Sequence, residues 1–190
     1  MFTGSYDNIP TQQLNQAADQ SSGSPLPIIV YKILARHNKQ LHSFNAKDPQ
    51  CKTHGITLRY IKNKQTLPLP NSKLFAFPTL ETAINWLSLS IIDDIKKYAF
   101  VKGFTTKPII KPSIDIVPNF HQPKDKINSF WLQYNSYPNN KSSLIGDCEP
   151  QPLPPNTIFI DNFTPLEIIP HSKVLDIKIQ QLQNLYASYN

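Results

Sequence analysis

The sequence predicts an α+β domain: a compact, mainly antiparallel sheet with one central helix and a C-terminal helix packed on it. Three observations lead there. Short apolar segments at Ile28–Leu34, Ile56–Ile61, Tyr98–Val101 and Thr157–Asp161 have the length and composition of strands. Lys73–Leu87 reads as a strand that stops at a proline and becomes a helix. From Ser172 onward apolar residues return at helical spacing.

The 190 residues suit one domain, and 39% hydrophobic residues with 11% aromatics can supply a core. Residues 1–24 are polar, carry no sustained apolar period and read as a disordered, dispensable tail; the domain then covers 25–190. In Ile28–Leu34, side chains Ile29, Tyr31 and Ile33 take one side, and Val30, Lys32 and Leu34 the other. The turn Arg36–Lys39 follows, and Leu41–Phe44 returns as a short strand. Asn45–Gly55 reads as a polar loop. Ile56–Ile61 alternates, with Thr57 and Arg59 outward. The prolines of Leu67–Pro70 keep that stretch extended.

The run Leu74–Phe77 suits a strand covered on both faces. Pro78 disfavours helix at Phe77, and Thr79 can then cap a helix through its hydroxyl, with Glu81 at the positive helix end. Leu80, Ala83, Ile84, Leu87 and Ile91 share one face; Glu81, Thr82 and Asn85 share the other, and Trp86 covers a neighbouring strand edge. Asp93 and Asp94 oppose the dipole, so the helix should stop near Ser90–Ile92.

Residues 107–129 carry Pro108, Pro112, Pro118 and Pro123 and read as mostly loop, with Ile114–Val117 as an edge strand. Phe130–Tyr134 reads as a short aromatic strand, and 135–156 as a second proline-rich loop. Leu166–Ile169 is one more strand. In the last helix Ser172 is the expected cap, and Leu175, Leu182, Leu185, Tyr186 and Tyr189 are the expected shared face.

Composition also restricts function. No apolar run approaches the length of a membrane helix, and the N-terminus lacks the order of a secretory signal, so a cytoplasmic protein is expected, with other export routes left open. The net charge is +6; of 19 basic residues only Arg36 and Arg59 are arginines, leaving 17 scattered lysines. Such a surface serves solubility, or attracts nucleic acid. Two cysteines, Cys51 and Cys148, give no disulfide scaffold and no four-ligand zinc site. Cys51, His42, His54 and Asp48 match no standard zinc spacing, and neither metal nor cofactor is expected. Asp147 and Glu149 flank Cys148 with acids, which opposes a nucleophilic thiolate.

Strands like Val30–Leu34 and Leu58–Tyr60, then Leu74–Phe77 leading into Leu80–Trp86, and finally Pro155–Ile160, follow each other in an order similar to that of small uncharacterised α+β modules of phages and bacteria. The likeness spans roughly residues 28–170. The same order resembles, remotely, ADP-ribosyltransferase-type folds. That resemblance implies a basic residue after the first strand, matched by Arg36 or His37, and a late glutamate acting on a ribose, for which Glu149 is the candidate. Glu167 departs from the pattern, since Pro165 stands where a second glutamate would be.

Three function classes follow. The first is a non-enzymatic interaction module with a protein partner, suited by rigid proline loops and by the absence of Gly-rich phosphate loops, HExxH or GxSxG motifs. The second is a nucleic-acid-binding protein in which Trp131 and Tyr134 stack bases while Lys124 and Lys126 meet phosphates. The third is an enzyme acting on NAD or a nucleotide through Arg36, His37 and Glu149.

Overall fold

The structure is a computed structural model that describes residues 26–37, 39–44, 57–86, 97–119, 122–138 and 150–188. The expected tail, the Asn45–Gly55 loop, the end of the central helix and Cys148–Glu149 lie outside the described residues.

Five strands form the main sheet: β1 (Ile28–His37), β2 (Gln40–His42), β3 (Arg59–Tyr60), β5 (Tyr98–Thr105) and β9 (Thr164–Ile168). Their order is β3-β2-β1-β5-β9, and every pairing is antiparallel. Two ribbons accompany it: β4 (Leu74–Ala76) with β8 (Ile158–Ile160), and β6 (Ile116–Pro118) with β7 (Pro150–Pro152). The helices are α1 (Leu80–Trp86), α2 (Lys124–Ser136) and α3 (His171–Ala187). The expected α+β class and the mainly antiparallel sheet are therefore present.

Strand periodicity builds the layers. On one sheet face, Ile33 of β1 and Phe100 of β5 pack with Leu80, Ala83 and Ile84 of α1 and Val174 of α3. The central and C-terminal helices both pack on the sheet, as the sequence predicts, and they share one face of it. On the other face Val30, Leu34, Ala99 and Val101 meet Leu74 and Ala76 of β4 and Ile158 and Ile160 of β8. The intervening residues Phe75 and Phe159 point away from the sheet and stack at 5.2 Å, under α2. The β4–β8 ribbon is thereby covered on both sides, which is why Leu74–Phe77 is a continuous apolar run.

At Pro78 the chain leaves the ribbon and enters α1. Thr79 caps it: its Oγ1 accepts the Thr82 amide at 3.2 Å, while the Thr82 hydroxyl donates to the Thr79 carbonyl at 2.9 Å.

Three expectations are corrected. Phe130–Tyr134 is not a strand but part of α2, which also replaces the end of the 107–129 loop. Its buried residues Ile127, Phe130, Trp131 and Tyr134 recur at spacings of three and four, the helical period, which outweighs the β preference of the aromatics. The second loop is shortened by β7, which pairs with β6. The third correction concerns α3. Its N-cap is Pro170, with no side-chain cap bond, so Ser172 already lies inside the first turn. Only Val174 is fully buried; Leu185 and Tyr186 are 50% and 70% exposed, because the helix runs on past the sheet.

Candidate functional site

One edge of β1 is shared between two neighbours. Residues 35–37 pair with β2, whereas Tyr31 exchanges two backbone hydrogen bonds with Phe77, of 2.9 and 2.8 Å. Between them residues 32–34 face no strand on that edge among the described residues. β2–β3 and β4 diverge from this point and leave a cleft.

The cleft holds a cavity of about 290 Å³. Phe44, Trp86 and Phe77 wall it on the α1 side, and Ile127 and Trp131 on the α2 side. The Phe44 and Trp86 rings meet edge to face at 4.7 Å, which fixes that wall. Ser43, Thr57, Ser72 and Asn128 add hydroxyl and amide groups.

Lys32 also lines the cavity. β1 alternation sets its side chain in the row of Val30 and Leu34, directed at the β4–β8 ribbon, and it is only 6% exposed. Its ammonium nitrogen donates to the Phe75 carbonyl. It lies 5.6 Å from the Tyr60 ring centroid and 5.8 Å from that of Phe163. Among the described residues no carboxylate pairs with it, whereas Lys73 pairs with Asp161 at 2.6 Å. Burial without a counter-charge lowers the Lys32 pKa to about 7. Burial likewise raises the Tyr60 phenol well above its ordinary value, against a smaller opposing effect of its hydrogen bond with Ser43. The cavity therefore places a weakly basic amine and a protonated phenol among aromatic walls.

The residues that the sequence singles out lie elsewhere. Arg36 is exposed, and its Nε donates to the Tyr98 carbonyl at 3.1 Å. His37 is exposed too, with its ring edge-on to His42 at 6.3 Å. Both sit at the β1–β2 hairpin, and neither lines the cavity. Glu149 falls outside the described residues, as do Asp48, Cys51 and His54. Among the described residues no three metal-ligating side chains cluster, and no helix is long and apolar enough to cross a membrane.

Lys124 and Lys126 are exposed on α2, but Trp131 and Tyr134 are buried in the core, 1% and 5% exposed. Rings buried to this degree offer no face to a base, so the four do not form a stacking platform. Lys32 is not among the residues that the sequence singles out, although a lysine between valine and leucine in one strand row is a legible signal. No protein-family model, curated protein or solved structure matches the chain.

Proposed function

We propose that this domain is a non-enzymatic binding module that takes a small, largely apolar molecule into the cleft between β3 and β4. The carrying observation is the 290 Å³ cavity with aromatic walls and a few polar groups. Its size is at the lower end of the range typical of small-molecule sites, about 300–1,000 Å³, and its mixture of linings is theirs. Taking about 30 Å³ for a water molecule in the liquid, it has room for roughly ten. A ligand that displaces such water from apolar walls gains the hydrophobic contribution of its own buried surface.

The fold supports this use. The sheet and ribbon that form the floor are packed on both faces, which holds that side of the cleft in place. An added peptide strand is a poorer fit, because the Tyr31–Phe77 bridge and the β2 pairing leave only short stretches of that β1 edge open among the described residues. A phosphate- or ribose-directed activity gains no support from Arg36 and His37 at the hairpin. Base stacking gains none from Trp131 and Tyr134 in the core.

Both tryptophans of the chain, Trp86 and Trp131, line the cavity, so their fluorescence reports its occupancy. Titration with hexanamide and hydrocinnamamide should change the emission saturably for at least one of them. Thr57→Phe, placed on the lining, should weaken that binding without lowering the unfolding midpoint. Unchanged emission with both, or equal affinity of the variant, would overturn the reading.

A further inference from the structure

We propose that the molecule bound in the cleft is an organic monocarboxylate with a compact apolar body, its carboxylate accepting hydrogen bonds from the Lys32 ammonium. This rests on the reading of the cleft as a small-molecule site and adds the chemical class of the ligand.

The argument starts from the charge of the lining. Lys32 and Lys73 line the cavity, and among its described lining residues there is no aspartate or glutamate. Lys73 is already paired with Asp161. Lys32 is not paired with any described acid, and only one of the three N–H bonds of its ammonium is used, at the Phe75 carbonyl. A buried ammonium without a counter-ion is costly, and it falls to a ligand to supply one. The aromatic faces of Tyr60 and Phe163 offer weak cation–π compensation at 5.6 and 5.8 Å, not a countercharge.

A carboxylate at this place forms a charge-assisted pair inside a low-dielectric site, where such bonds are strongest. The Thr57 hydroxyl on the same lining can donate to one of its oxygens. The aromatic walls then cover the apolar body. A single acid group is required: a second anionic group would lie in the apolar part of the cleft without a partner.

Proton linkage follows from the free state. Lys32 has a pKa near 7 when the cleft is empty, and a bound carboxylate favours its charged form. Binding therefore takes up a proton above pH 7, and affinity falls as the pH rises. The other ionisable groups facing Lys32 among the described residues are Tyr60, which burial keeps protonated, and Lys73, held by Asp161.

The test compares isosteric probes on the full chain by tryptophan fluorescence and calorimetry: hydrocinnamate against hydrocinnamamide, and hexanoate against hexanamide. A hydrogen bond to a charged group predicts that each acid binds roughly tenfold to a hundredfold more tightly than its amide at pH 6.5. The acids should lose affinity above pH 7 and take up protons on binding, while the amides do neither. Lys32→Met should abolish the preference and keep amide binding. If acid and amide bind wild type equally, or Lys32→Met retains the preference, the carboxylate assignment is overturned and the small-molecule reading stands. If neither acids nor amides bind, both are overturned. The wild-type comparison decides the matter even if the variant fails to fold.

Discussion

Replacing Lys32 with methionine should make the stability of this domain much less dependent on pH. In the folded chain Lys32 is buried and its pKa is lowered from 10.5 to about 7. Between those two values the unfolded chain holds the lysine proton and the folded chain does not. Stability then rises with pH, at nearly 1.4 kcal/mol per unit. From pH 7 to pH 10 the gain is about 4 kcal/mol. Below pH 7 both states are protonated, so the full cost of the buried charge persists and the curve flattens. The raised pKa of Tyr60 has the opposite effect at the alkaline end. There the unfolded phenol loses its proton first, so the climb should end near pH 10, the ordinary tyrosine value. Methionine keeps a chain of similar length without the charge, a kind of exchange that is often neutral or stabilising at a buried site. Urea midpoints of both proteins across pH 6 to 10 measure the effect. Lys32→Met should be the more stable at pH 6 to 7, and its advantage should shrink steadily towards pH 10. A difference that stays constant across the range would show that Lys32 keeps its proton throughout, and would refute the reasoning.

Four further substitutions test the packing. Ile84 on α1 is 1% exposed beneath the sheet, so Ile84→Ala should cost about 2–5 kcal/mol, whereas exposed Asn85→Ala should stay within roughly 0.5 kcal/mol of wild type; equal denaturant midpoints would mean that the helix phase is wrong. A Cβ at Gly103 would lie 2.5 Å from the Phe163 ring and from the Thr164 carbonyl oxygen, beside the register shift between β5 and β9; Gly103→Ala should cost about 1–3 kcal/mol in thermal or urea unfolding. Buried Asn162 takes hydrogen bonds from the Thr105 hydroxyl at 2.9 Å and the Thr106 amide at 3.0 Å, so Asn162→Ala should lose about 1–3 kcal/mol, measured in the same way.

Leu74–Trp86 was legible because its signals agree: an apolar run, a proline stop, a threonine cap and a helical apolar stripe all specify one strand-to-helix turn. In Lys124–Ser136 they conflict. Three aromatics within five residues favour strand, while Ile127, Phe130, Trp131 and Tyr134 recur at helical spacing, and the preceding prolines masked the start of the helix. α3 was legible as a helix, but not in its packing. Leu182, Leu185 and Tyr186 form a good stripe, yet where the sheet ends beneath them is a tertiary fact. The cleft depends on how β1 divides one edge between β2 and Phe77, a non-local arrangement that no local pattern encodes. Lys32 itself was within reach of the sequence: alternation sets it in one row with Val30 and Leu34. Its importance lies in the absence of a described acid opposite, and that appears only once the strands are assembled.

Amide proton–nitrogen correlation spectra of the full chain, recorded while hydrocinnamate is added at pH 6.5, test the central claim most directly. The account predicts saturable shifts concentrated at the cleft, in the Lys32–Leu34, Ser43–Phe44 and Thr57–Tyr60 amides and the indoles of Trp86 and Trp131, with α3 beyond Leu182 unmoved. Shifts confined to α3, or none at all at millimolar probe, would contradict it.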